Sequence, residues 1–253
     1  MGTGVLFDAT LCIGCQECEA GCAAENDLPW NDEMVNQAKA SDLKFTYIKT
    51  VDDDKFMRHL CMHCEDPTCV SVCPVAALIK TADGPVIYDA DKCMGCRYCM
   101  VACPFGVPKY EWTSLKPRIR KCTGCPERIA KGEPTACSEA CPTGATITGE
   151  REALLAEADR RIRENPEAYY PHVFGSTEVG GTTTLFLSSI PFERFGLDAA
   201  YPDEPLPLLT HRALSKIPSV VTVGFVLLGG IWWITNRRDV VAAEESNHRK
   251  EEE

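Results

Sequence analysis

Residues 93–104 read CMGCRYCMVACP, with Cys93, Cys96, Cys99 and Cys103 spaced x2, x2, x3 and Pro104 directly after. The first three of these thiols, within seven residues, can face one small body only if the backbone curls around it. Gly95 lies inside the curl, where a left-handed backbone costs little. The fourth thiol stands on the next turn and points the other way, and the proline after it stops that turn from continuing. One such run is weak evidence.

The flanking sequence repeats it three times. Upstream stand Cys12-x2-Cys15-x2-Cys18-x3-Cys22 and Cys61-x2-Cys64-x4-Cys69-x3-Cys73-Pro74. Downstream stands Cys122-x2-Cys125-x11-Cys137-x3-Cys141-Pro142, whose insertion contains Pro126 and Pro134. Gly14 and Gly124 sit where Gly95 does in the third run, while Cys22 is followed by Ala23 instead of proline. Together the four runs use all sixteen cysteines of the 253-residue chain.

Such a count permits disulfides, structural zinc or iron–sulfur clusters. Disulfide-rich secreted chains are small and do not pack cysteines two residues apart in runs of three. Zinc sites use isolated C-x-x-C pairs, and zinc carries no electrons. The C-x2-C-x2-C-x3-C-P spacing is that of bacterial ferredoxin cubane ligands. The formal net charge is −11, with no dense Lys/Arg stripe, so nucleic acid is excluded as a partner. No nucleophile–base set, phosphate loop or dinucleotide fingerprint is present, so electron transfer without bond chemistry is the expectation.

The stretches LCIGCQECEAGC, CMHCEDPTCVSVCPVAAL, KCMGCRYCMVACPFGVPKY and KCTGCPERIAKGEPTACSEACPTGAT, continuing through YYPHVFGSTEVGGT, carry a resemblance over roughly residues 5–235. The chain resembles the four-cluster iron–sulfur subunits of respiratory molybdoenzymes and membrane-linked nickel–iron hydrogenases. The resemblance implies an α+β fold with two interleaved bacterial-ferredoxin-like dicluster modules and four [4Fe–4S] clusters. The first run pairs with the fourth and the second with the third. One cluster then takes Cys12, Cys15, Cys18 and Cys141, and its neighbour Cys122, Cys125, Cys137 and Cys22. A third takes Cys61, Cys64, Cys69 and Cys103, and the last Cys93, Cys96, Cys99 and Cys73.

The implied partners are a catalytic subunit and an integral-membrane, quinone-reactive subunit of cytochrome b type. For the catalytic partner, CMHCEDP and EVGGT look like formate dehydrogenase relatives, whereas CVSVCPV, CRYCMVACPF and YYPHVFG look like hydrogenase ones. A freestanding polyferredoxin and a zinc-stabilised assembly module are the competing functions.

Between the second and third runs, LIKTADGPVIYD reads as a hairpin turning at Asp83-Gly84, with Val86, Ile87 and Tyr88 on one arm. The loop through Leu28-Pro29-Trp30 is long enough to cross over a cluster. Lys92, Arg97, Lys109 and Lys121 lie close enough to ligands in sequence to tune a cluster, or are solvated charges. His63, inside the second run, is expected beside the ligands and not among them, with His59 just ahead. Leu154, Leu155, Ala158 and Ile162 recur at helical spacing over Arg151–Arg163, closed by Asn165-Pro166. Thr182–Ile190 reads as a strand, preceded by Gly180-Gly181, which suits either a turn or a close approach by another subunit.

Ile217–Thr235 is a 19-residue run without a charge, long enough to cross a bilayer. Trp232 and Trp233 at one end, then Arg237 and Arg238, favour a membrane span over a buried core helix. Thr222, Gly224, Gly229 and Gly230 are small enough to admit a partner helix. The chain therefore divides into a four-cluster head (1–148), an extension contacting partners (149–210), an anchor (211–238) and a charged, disordered tail (239–253). The N-terminus carries no signal pattern, and relatives are exported folded with a catalytic subunit, so a periplasmic head is expected.

Overall fold

Six residues, Thr3–Asp8, form strand β1, buried along almost its whole length, and this strand organises the head. The computed structural model describes residues 2–52, 54–197 and 200–251. It divides into two compact units, residues 1–207 and 208–253.

In the first unit β1 is central. It pairs antiparallel with β8 (Thr146–Glu150) and parallel with β9 (Thr184–Leu187). Alternate side chains of a strand leave opposite faces. Leu6, Leu185 and Leu187 therefore meet Leu154 and Ala158 of helix α7 (Arg151–Glu164). On the other face Phe7 and Phe186, with ring centroids 6.1 Å apart, join a core that contains Cys18, Cys22, Cys61, Cys122 and Cys137. The sheet thus separates an aliphatic layer from a cysteine layer.

Short hairpins complete the strands: β2 (Tyr47–Val51) with β3 (Lys55–His59), β4 (Leu78–Lys80) with β5 (Val86–Tyr88), and β6 (Lys109–Tyr110) with β7 (Ile119–Arg120). The β4–β5 pair is the hairpin expected at Asp83-Gly84, with Leu78 opposite Tyr88. Its turn docks on the start of β1, where Thr3 N donates to Asp83 O at 2.7 Å.

The helices carrying cysteines are short. They are α1 (Glu17–Glu25), α3 (Thr68–Ser71), α4 (Tyr98–Ala102) and α6 (Ala136–Glu139); α2 (Asp32–Asn36) and α5 (Pro126–Ala130) lie between them in the chain. Helix α1 packs on α6 and α3 on α4. The α1–α6 approach is close because Gly21 has no Cβ; one built there would stand 2.8 Å from Ala140 Cβ.

Helix α7 spans the expected residues, with Leu154 and Ala158 buried and Asn165 closing it. The expected Thr182–Ile190 strand is shorter, β9 alone. Two threonines at its start bond to the second cysteine loop: Thr184 Oγ1 donates to Cys61 O at 2.9 Å, and Thr183 Oγ1 to His63 O at 3.1 Å. Gly180 and Gly181 have φ of 87° and 90°, and a Cβ on Gly181 would meet Arg151 of this same chain.

Helix α8 (Leu206–Leu214) starts at the boundary of the two units, and α9 (Ile217–Glu251) fills most of the second. Pro218, in the first turn of α9, has no N–H to continue the helix from Leu214, which accounts for the break. The helical stretch Leu206–Ala243, α8 followed by the described side chains of α9, is long and apolar enough to cross a membrane, and none of its most apolar window is buried. Helix α9 continues through the charged stretch expected to be unstructured, as far as Glu251; the Ala and Glu residues at 242–245 are strong helix formers. Residues 252 and 253 lie outside the described ones.

Candidate iron–sulfur centres

All four cysteine runs turn left-handed at the residue before their second cysteine: Gly14 (φ 71°), His63 (46°), Gly95 (73°) and Gly124 (77°). Three are glycine, as the turn favours; His63 holds the same conformation with a side chain. Its imidazole is buried, and Nδ1 accepts the Val86 N–H at 2.9 Å. Burial and the nearby Lys121 and Lys80 charges hold it far below the ordinary histidine range, so the ring is neutral.

The fourth cysteines of the second and fourth runs sit differently from those of the other two, Cys22 and Cys103, which burial pushes up. Burial pushes the Cys73 thiol up, but N–H groups of Ala77, Leu78, Val75 and Ala76 outweigh it and leave it below its ordinary value. Cys141 is lowered in the same way: burial raises it, while the N–H groups of Thr146, Thr143 and Ala145 and the Thr143 hydroxyl prevail. The turn after each of these cysteines therefore presents donors to its sulfur.

The structure brings the thiols together across runs. One cavity is lined by Cys22, Cys122, Cys125 and Cys137, and another by Cys73, Cys93, Cys96 and Cys99. Cys12 feels the charges of Cys141 and Cys15, and Cys18 is a neighbour of Cys12. Cys64 has Cys61, Cys103 and Cys69 around it. Electrostatic coupling links these groups: Cys69 feels Cys99, Cys122 feels Cys61, and Cys18 feels Cys137. Cys15 and Cys96 are exposed; the others are buried or half-buried.

Burial pushes the Cys18, Cys69 and Cys122 thiols up to about 12 and Cys99 to about 11. Thiolates so placed form when a cation compensates them, and iron does so on binding. All sixteen cysteines are free. Among the described residues no three His, Cys, Asp or Glu side chains converge closely enough to share one metal ion. A cubane spreads its ligands over several irons, so its thiolates stand further apart than those of a mononuclear zinc site. The donor sets fit iron–sulfur clusters.

Of the cations close to ligands in sequence, Lys121 is buried and donates to Val86 O and to Cys122 O. Lys92 is a surface charge paired with Asp89 at 3.0 Å, and Lys109 caps Gly106 O. Arg97 lies over Tyr110 and Trp112, 5.6 and 5.3 Å from their ring centroids. Sequence reasoning missed Arg58 and Glu19. Arg58, on β3, is wholly buried and neighbours Cys137, Cys18 and Cys22. Glu19 is buried beside Cys18 and paired with Lys44 at 2.6 Å. Arg58 lies between runs, and only the fold carries it to the thiols.

A family model described as a 4Fe–4S dicluster domain matches residues 53–151. A protein of Nitratidesulfovibrio vulgaris is 40% identical over 96% of this chain and 69% of its own length. Hydrogenase-2 operon protein HybA of Escherichia coli O157:H7 is 39% identical over 77% of this chain and 72% of its own. The chain belongs to the ferredoxin-type iron–sulfur electron-transfer subunits. The nitrate-inducible formate dehydrogenase iron–sulfur subunit of Escherichia coli K12 is 33% identical over 72% of this iron–sulfur subunit and 66% of itself. In this family the polypeptide transfers electrons and leaves bond chemistry to another subunit.

Proposed function

We propose that this iron–sulfur subunit carries four [4Fe–4S] clusters in two interleaved dicluster modules. The clusters would relay electrons between a catalytic subunit and an integral-membrane, quinone-reactive subunit of cytochrome b type. The observation that carries the reading is the order of the thiol groups. Cys93, Cys96, Cys99 and Cys73 lead through the Cys69–Cys99 pair to Cys61, Cys64, Cys69 and Cys103. The Cys61–Cys122 pair leads on to Cys22, Cys122, Cys125 and Cys137, and Cys18–Cys137 to Cys12, Cys15, Cys18 and Cys141. The exposed Cys96 and Cys15 fall in the first and last groups, where electrons would enter and leave.

When bound, the clusters accept and release single electrons. The chain binds them, tunes them through N–H donors and keeps water from the inner two. A hydrogenase-type catalytic partner is favoured by the higher identity to HybA; a formate dehydrogenase partner is the second reading. The apolar run of α9 supports a membrane anchor, and Arg237 and Arg238 beyond it support a head on the periplasmic side. Its open glycines, Gly224, Gly229 and Gly230, suit docking on a membrane partner's helix.

The test is iron and sulfide analysis of anaerobically purified chain, with electron paramagnetic resonance (EPR) after dithionite reduction. Four cubanes require about sixteen irons per chain. About eight would reject the four-cluster reading, and a colourless, zinc-containing chain would reject electron transfer altogether.

A further inference from the structure

The cavity lined by Cys22, Cys122, Cys125 and Cys137 belongs to the one thiol group whose four cysteines are all buried. Reducing a cluster there adds negative charge in a low-dielectric setting, which burial alone makes unfavourable. The proposed order puts this cluster third of four, so a low potential here would be an uphill step inside the wire.

Two side chains of the cavity wall oppose that penalty. Arg58 is 1% exposed and forms no salt bridge with a carboxylate among the described residues. Its Nε donates to Thr46 Oγ1 at 3.0 Å, whereas its Nη1 is buried without a partner. The guanidinium lines this cavity together with Cys22 and Cys137, and Cys137, Cys18 and Cys22 are its charged neighbours. His63 is 5% exposed and comes from the adjacent cysteine loop. Because Nδ1 accepts the Val86 N–H, the proton of the neutral ring is on Nε2, and that atom is also buried without a partner. A Cβ built on Gly124 would stand 3.1 Å from it, so the ring edge faces the loop that carries Cys122 and Cys125. No carboxylate lines the cavity.

We infer that Arg58 and His63 are N–H donors to the cluster held by Cys22, Cys122, Cys125 and Cys137, and that they raise its potential enough to remove the uphill step. This rests on the cluster assignment above and adds the device that makes the buried site usable. Arg97, near the Cys96 end, is exposed and screened, so it cannot do the same there.

The experiment is an EPR-monitored redox titration of the full, cluster-loaded chain in detergent. The relevant signal is identified by its loss in Cys22→Ser. Arg58→Met is expected to shift the reduction equilibrium of that cluster at least tenfold toward the oxidised form, about 59 mV for a one-electron couple. The cluster of Cys93, Cys96 and Cys99 should stay where it is. Arg58→Lys keeps the charge and restores most of the potential. His63→Asn tolerates the left-handed backbone but cannot reach the cavity; it gives a smaller shift of the same sign. Unmoved potentials, or equal falls in the Lys and Met variants, overturn the inference. Should Arg58→Met fail to take up iron, an unmoved potential in His63→Asn overturns it instead. A wild-type chain without cubane signals is a different failure, because it removes the relay reading itself.

Discussion

Asp8 ends β1 with its carboxylate wholly buried, four residues ahead of the first cysteine. One oxygen accepts from Thr10 N at 3.0 Å and from the Thr10 hydroxyl; the other accepts from Arg161 Nη1 and the Tyr169 hydroxyl, both at 2.9 Å. The pair with Arg161 ties α7 to the strand that leads into the first cysteine loop. Removing one member of a buried ion pair leaves the other uncompensated and costs about 3–5 kcal/mol. Asp8→Ala should lower the stability of the cluster-loaded head by about 3 kcal/mol, near the low end of that range because Arg161 keeps Glu157. Guanidinium titration followed by bleaching of the cluster absorbance measures it. A midpoint unchanged from wild type would mean that the Asp8 network contributes nothing net.

Helix α7 and the β4–β5 hairpin are legible in the sequence alone, because each is specified by residues close together in the chain. Leu154, Leu155, Ala158 and Ile162 fix the helix face, and Gly84, at φ 113°, fixes the turn. The parallel pairing of β9 with β1 is not legible: it joins residues about 180 positions apart, and no local pattern records a crossover. The same holds for the straps from Thr183 and Thr184 to the second loop, and for Arg58, whose partners come from two other runs. The cysteines stand out by their spacing, but which runs meet is not legible there: the cavities that Cys22 shares with Cys122, Cys125 and Cys137, and Cys73 with Cys93, Cys96 and Cys99, depend on the fold. Packing of α7 yields a prediction of its own. Leu154 is 4% exposed against Leu6 and Leu185. Leu154→Ala should destabilise the head by about 2–5 kcal/mol. Leu155→Ala, on a half-buried neighbour in the same helix, should cost clearly less. Denaturant midpoints of the two variants, compared side by side, read the difference; equal costs would mean that the aliphatic layer is not what holds α7.

At the scale of the whole molecule, redox and anchoring are carried by separate stretches of chain. Every cysteine lies in the unit of residues 1–207, and the apolar run lies in the unit of residues 208–253. The 19 residues Ile217–Thr235 rise about 28 Å as a helix, close to the roughly 30 Å of a hydrocarbon core. Anchoring should therefore be separable from cluster binding. A chain ending before Ile217, produced without partner subunits, should leave the membrane pellet for the supernatant with its iron content and visible spectrum unchanged. Truncation alone does not distinguish a true span from a helix that merely adheres, so a second variant is needed. An arginine at the centre of a span costs about 3 kcal/mol on the insertion scale, whereas on an adhering helix it can face water. Val226→Arg in the full chain should accordingly weaken retention through a carbonate wash, while the wild type resists it. If the truncated head still sediments and Val226→Arg is retained like the wild type, attachment resides in the head surface, and the long helix serves some purpose other than holding the chain in a bilayer.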